Sequence, residues 1–211
     1  ASLADRDDRQ ELIDAGEQAL IQKRNEANDN QYKKDRGEYV EGFLVEHLDK
    51  ELRETVHVDT KDEQGGQDII IYKNKVPIYF IEVKSRWAND RSVLMSTMQY
   101  QRSIQNPDCY ALTCANMYGF DREYVDNHKY PPLEEIMPRI RVLEHIGNYN
   151  KDLVKKVDNE KLDPHVNPGY QILVPQDLIN SDKGEDFETF LHNLIEKIKS
   201  VNAKDGASFS L

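Results

Sequence analysis

Two acids and a lysine are spaced so that they could act together. Glu82 and Lys84 are the charged members of the run VPIYFIEVK, residues 76–84, and Asp68 opens the preceding run DIIIY. Side chains on a strand alternate between its faces, so Glu82 and Lys84 share one face while Ile81 and Val83 take the other. A charged group in an apolar run is costly unless it is paired or bound to a metal. With Asp68 opposite Glu82, two carboxylates would converge on a hard-oxygen site suited to Mg²⁺, with Mn²⁺ as a substitute ion. A metal there lowers the pKa of a water and neutralises charge at a phosphate. A neighbouring lysine orients that water and stabilises the developing anion. Asp68, Glu82 and Lys84 are therefore candidate catalytic residues for phosphodiester hydrolysis, the two acids also as metal ligands. The plainer alternative is a strand with an ordinary E-x-K pattern on its solvent face.

The chemistry makes a demand on register. Asp68 opposite Glu82 requires paired positions that add up to 150, hence an odd-length loop between the strands. A two-residue loop at Asn74-Lys75 gives 149, placing Asp68 against Ile81 and on the wrong face.

The elements that must hold these residues can be read from periodicity and turn chemistry. DIIIY and VPIYFIEVK, rich in β-branched and aromatic residues, predict a β-hairpin. Gly65-Gly66 supplies turn chemistry before it. Apolar positions Val40, Phe43, Leu44, Leu48 and Leu52 predict a helix over 38–53. A short strand is expected over 55–58, carrying His57, a helix over 92–105 and a buried strand over 109–114. The region 116–136 reads as loop, 170–174 as a strand, and 187–201 as an amphipathic helix. This order describes an α/β (α+β) fold, a mixed β-sheet flanked by helices. Residues 5–34 predict a helix with a narrow apolar stripe, suited to a neighbouring domain or to a second copy in a homodimer. The expected division is a helical extension over 1–36, a main domain over 37–201 and a loose tail over 202–211.

The chain of 211 residues carries a formal charge of −11 and a mean hydropathy of −0.79. Acidity of that size argues against casual nucleic-acid binding. Yet residues 61–104, which hold the candidate motif, carry seven Lys or Arg against five Asp or Glu. No apolar run is long enough to span a membrane, and no signal-peptide pattern opens the chain. Cys109 and Cys114 therefore predict a reduced pair in the cytoplasm rather than a disulfide. The six histidines show no metal-ligand spacing, and no P-loop or nucleophile elbow is present.

The pattern D-x(13)-E-V-K after a Glu-bearing helix resembles the PD-(D/E)XK nuclease superfamily. Within it, R-G-E-Y-V followed by the hairpin and E-V-K-S resembles the protein NO VEIN C-terminal domain family, over about residues 35–115 with weaker similarity to about 175. The resemblance implies a restriction-endonuclease-like core and a Mg²⁺-dependent endonuclease acting on nucleic acid, DNA foremost. It also implies an ATPase or helicase module in the same or a partner chain. Gln67 stands where the superfamily motif has proline. The superfamily adds a helix glutamate: the G-E-x-V pattern selects Glu38, whereas helical geometry favours Glu41. It also adds a polar residue from the following helix, for which Gln99 is the first choice and Gln101 and Ser96 are reserves. Ser85, Arg86, Arg91 and Arg102 are candidate phosphate contacts. A nuclease-like fold that binds nucleic acid or a partner protein without cutting is the competing function.

Overall fold

The hairpin β2 (Ile69–Lys73) and β3 (Val76–Arg86) is the centre from which the sheet grows. Asn74 and Lys75 connect the two strands, both in the left-handed region with φ of 53° and 67°, as a two-residue primed turn requires. By itself this turn would set the register that keeps Asp68 away from Glu82. The pairing begins that way, with Lys73 opposite Val76 and Tyr72 opposite Pro77, then shifts, so that Ile71 faces Tyr79 and Ile69 faces Ile81. One extra residue, Ile78, is accommodated as a β-bulge beside Pro77, whose missing N–H suits a break in the ladder. The loop is thus even and the register still reaches 150. The expected odd-length loop is not needed, because a bulge substitutes for the odd residue.

The computed structural model describes residues 18, 20, 22, 23, 34, 35, 37–63, 65–86, 92–120, 131–159 and 171–200. The chain divides into two compact units, 1–38 and 39–211. In the first, the described residues are helical and Lys34 lies 3.5 Å from Glu38. The helix expected over 5–34 falls mostly outside the described residues, and the tail 202–211 lies wholly outside them.

The second unit is a mixed sheet flanked by helices. Six strands run in the order β1 (Asp59–Asp62), β2, β3, β5 (Tyr110–Asn116), β6 (Ile140–Glu144) and β8 (Glu185–Asp186). Among the described strands only β3 and β5 pair in parallel. A separate ribbon joins β4 (Val93–Met95) to β7 (Ile172–Val174). Helix α1 spans 39–56 within this unit and buries Val40, Leu44, Leu48 and Leu52 completely, one residue per turn on one stripe. Helices α2 (Thr97–Gln105), α3 (Leu133–Ile136), α4 (Ile146–Asn159), α5 (Gln176–Ile179) and α6 (Phe187–Ser200) complete it. Tyr79 meets Phe190 and Lys197 of α6. Phe80, which alternation puts on the other side, meets Arg102 of α2. Helices therefore cover both faces of β3. Among the described residues no helix is long and apolar enough to cross a membrane.

Several expected boundaries are corrected. No strand forms over 55–58: the helix continues to Val56, His57 leaves it at φ 55°, and the strand starts at Asp59. His57 is thus a helix-terminating residue, with Nδ1 3.1 Å from the Arg53 carbonyl. The helix expected from 92 starts at Thr97, because Val93–Met95 pairs with β7. Strand β6 and helix α4 occupy a region for which the sequence reading offered no element.

Candidate active site

Backbone geometry brings the acids together before their side chains do. The Asp68 N–H donates to the Ile81 carbonyl at 3.0 Å, and the Val83 N–H donates to Asp68 Oδ2 at 2.8 Å. Asp68 is thereby clamped across β3 beside Glu82. Its approach depends on Gly66, held at φ 88°. A Cβ there would lie 2.9 Å from the Met98 carbonyl at the start of α2. Tyr110 Oη donates to the Gly66 carbonyl at 2.8 Å, which fixes this loop to β5. Gln67 is buried, donates to the Glu63 carbonyl at 2.8 Å and accepts from Arg102 Nε at 3.1 Å.

Glu82 is fully buried, Asp68 is 9% exposed, and the Lys84 side chain is 25% exposed. Lys84 Nζ sits 2.5 Å from Glu82 Oε1. Gln99 Nε2 donates to the same oxygen. The other oxygen, Glu82 Oε2, is buried and accepts no hydrogen bond from a described donor. Burial pushes the Glu82 carboxyl up to about 8; Lys84 pulls against that rise, while the charge of Asp68 and a side-chain hydrogen bond with it add to it.

Gln99 reaches Glu82 because of the way α2 begins. Ser96 is the N-cap, and Ser96 and Gln99 form a reciprocal capping box: the Gln99 N–H donates to Ser96 Oγ at 3.4 Å, and the Ser96 N–H donates to Gln99 Oε1 at 2.8 Å. The amide oxygen is thus occupied by the helix start, and the amide nitrogen is aimed at Glu82. Of the reserves, Ser96 serves this cap and Gln101 is exposed. The spacing Ser-x-x-Gln was available in the sequence and would have located both the helix start and the role of Gln99.

The two helix acids separate. Glu41 has its carboxyl raised to about 8, by burial first, then by the charges of Asp68 and Asp62, a hydrogen bond with Asp62 and the charge of Glu82. Glu38 is exposed, belongs to the first unit and pairs with Lys34. Of the two helix acids, Glu41 is the one that shares a field with Asp68 and Glu82.

Among the phosphate candidates, Arg86 continues the face of Glu82 and Lys84, and its Nε is buried without a partner among the described residues. Ser85 falls on the opposite face by alternation. Arg102 is engaged by Gln67 and stacks 4.9 Å from the Phe80 ring centroid, so it supports the Asp68 loop. Arg91 lies outside the described residues. Cys109 and Cys114 are free and buried, Cys114 packing beside Lys84 and Glu82.

Two adjoining carboxyls with one orphaned buried oxygen, next to an ammonium, can hold a hard cation and present charge to a phosphate. Among the described residues no group of three or more His, Cys, Asp or Glu side chains is placed to hold a metal. Any ion here would complete its shell with water or substrate oxygens, as Mg²⁺ commonly does.

No curated protein and no solved structure matches the chain. Residues 40–124, which include Glu41, the hairpin, the E-V-K strand, α2 and β5, match the family model described as Protein NO VEIN, C-terminal, and over this segment the chain is similar to that family.

Proposed function

We propose that this chain carries a Mg²⁺-dependent endonuclease domain of PD-(D/E)XK type, with a restriction-endonuclease-like core, hydrolysing phosphodiester bonds of nucleic acid, DNA foremost. The observation that carries this reading is the meeting of Asp68 with the buried Glu82, one oxygen of which lacks a donor, beside Lys84. The residues fit the ion. Asp68 and Glu82 are hard-oxygen ligands, and burial of Glu82 at a cost is what a bound cation would offset. When bound, the ion supplies charge neutralisation at the phosphate and a more acidic water.

The remaining work falls to the chain's own side chains. Lys84 is held by Glu82 and presents a fixed positive charge to the scissile phosphate, stabilising the charge that builds on its oxygens. Gln99 fixes the Glu82 carboxylate so that Oε2 keeps its direction. Glu41, raised to about 8, shares the local field and completes the acidic wall. The resemblance to NO VEIN domains further suggests an ATPase or helicase module in the same or a partner chain. The free buried cysteines favour a reducing, cytoplasmic setting.

A second reading, a nuclease-like module that binds without cutting, draws support from the net charge of −11 and from the closure of Glu82 Oε1 by Lys84 and Gln99. One assay separates the two. The full chain is incubated with single- and double-stranded DNA and RNA in Mg²⁺, Mn²⁺ or EDTA, beside Lys84→Ala. Cleavage that needs the metal and is lost in Lys84→Ala supports the enzyme. Binding with no cleavage of any substrate leaves the non-cutting module.

A further inference from the structure

Beyond Lys84, the face of β3 runs into a small cleft of different character. Alternation puts Arg86 on the face of Glu82 and Lys84, one two-residue step further, about 7 Å along the strand. Its neighbour in β5 is Asn116, and Cys114, the neighbour of Lys84, pairs on its other side with Arg141 of β6. Arg86, Asn116, Arg139, Arg141 and Asn180 line the cleft together, and among the described residues no Asp or Glu lines it. Three guanidinium groups at one spot are conspicuous in a chain with 39 acids and 28 bases. The enclosed volume is about 20 Å³, room for one small polar group and too little for a base.

The arginines are held in place. Arg139 Nη1 donates to the Tyr118 carbonyl at 2.9 Å, and its guanidinium lies 4.2 Å from the Phe120 ring centroid. Arg141 Nη1 donates to the Ile140 carbonyl at 2.8 Å and the Pro138 carbonyl at 3.3 Å. Asp186 is the nearby counter-charge: it stands opposite Arg141 in the register of β6 and β8, while its carboxylate accepts from Thr189 at the start of α6. Among the described residues, Arg86 Nε is buried with no acceptor. A buried donor without an acceptor is costly, and an incoming oxyanion removes that cost. Guanidinium is also the side chain best matched to phosphate oxygens.

We propose that Arg86, Arg139 and Arg141 form a phosphate-binding subsite whose cleft takes one oxygen of a phosphodiester, the phosphodiester lying over its mouth on the same nucleic-acid strand next to the one presented to Lys84. This rests on the nuclease reading for its substrate, and it gives that substrate a direction along β3. Asn116 and Asn180 add neutral hydrogen-bonding groups at the rim.

The test is binding in EDTA, scored separately from cleavage. Fluorescein-labelled DNA and RNA oligonucleotides, single- and double-stranded, are titrated with the full chain at several salt concentrations. Arg86→Gln and Arg141→Gln should each weaken binding several-fold and reduce the slope of log affinity against log salt by about 1, as loss of one phosphate contact does. Asn180→Asp, an isosteric change at an exposed rim position, should weaken binding by repulsion without threatening the fold. Lys75→Gln, at the hairpin tip, should leave the slope unchanged. Inorganic phosphate should compete only at much higher concentration than the oligonucleotides. An unchanged slope in Arg86→Gln and Arg141→Gln, with unchanged affinity in Asn180→Asp, overturns the subsite even if the parent cleaves. Inorganic phosphate competing as well as the oligonucleotides overturns the nucleic-acid assignment. Altered slopes in a parent that never cleaves keep the subsite and remove the nuclease.

Discussion

Two regions of the second unit that carry clustered acids differ in how those acids are held. One, a cleft of about 600 Å³, lies between the end of β6, the start of α4 and the segment from α5 to β8. Its charged lining, Glu144, Asp152, Asp182, Lys183 and Glu185, is exposed or half-buried, and Glu144 is already bound to Lys197 at 3.2 Å and to Tyr79 at 3.0 Å. The Asp68–Glu82–Lys84 site is built on a buried acid instead. It does enclose a carboxylate completely, leave one of its oxygens without a donor and bring a second acid against it. Volume alone is a poor guide to chemistry here: a solvated acid can be replaced at small cost, whereas a buried acid must be matched to something.

The contrast breaks most sharply at Lys84. Lys84→Ala should lower turnover by about 10²-fold or more, the scale for removing one preorganised charge stabiliser, measured as single-turnover cleavage in Mg²⁺. If Lys84→Ala cleaves like the parent, the enclosed site is not the chemical one.

A second, smaller effect concerns how the site is held. Gly66→Ala puts a Cβ at 2.9 Å from the Met98 carbonyl and at φ 88°. It should cost more than about 1 kcal/mol of stability, since Ala is strained at positive φ. Thermal unfolding checks this. An unchanged melting temperature means that α2 does not approach the Asp68 loop so closely.

The pH dependence of stability sharpens the comparison without any substrate. Glu82 titrates near the ordinary 4.5 in the unfolded chain and about 8 when folded. Between those values the folded chain holds the extra proton. In metal-free buffer, stability should therefore fall as pH rises through that window, with the full penalty present above about 8. Glu41 acts with the same sign. Glu82→Gln should flatten this part of the curve, measured as melting temperature against pH. A curve identical to the parent's contradicts the enclosure of Glu82. At the small end, Asp182→Asn in the open cleft should change neither cleavage nor melting temperature, and a clear loss of cleavage would give that cleft a role it is denied here.

The hairpin was legible because β-branched runs and a turn at Asn74-Lys75 depend on nearest neighbours. The register was only half legible. Turn length is local, but the bulge at Ile78 is a sheet-level adjustment, and its one sequence sign is Pro77 in an otherwise strand-like run. Strand β4 was missed because Val93–Met95 is extended by its pairing with the distant β7, not by its own propensity. Glu41 was visible in helical spacing, and the motif drew the choice to Glu38. The orphaned oxygen of Glu82 and the arginine cleft were not legible, since both arise from side chains gathered by β3, β5 and β6 after the sheet has formed.

On the proposed function, Asp68 and Glu82 jointly hold a divalent cation. Calorimetric titration of Mn²⁺ and of Mg²⁺ into the full chain, beside Asp68→Asn and Lys84→Ala, tests it most directly. One binding site in the parent, kept in Lys84→Ala and lost in Asp68→Asn, is the predicted result; no binding in the parent, or binding undiminished in Asp68→Asn, contradicts it.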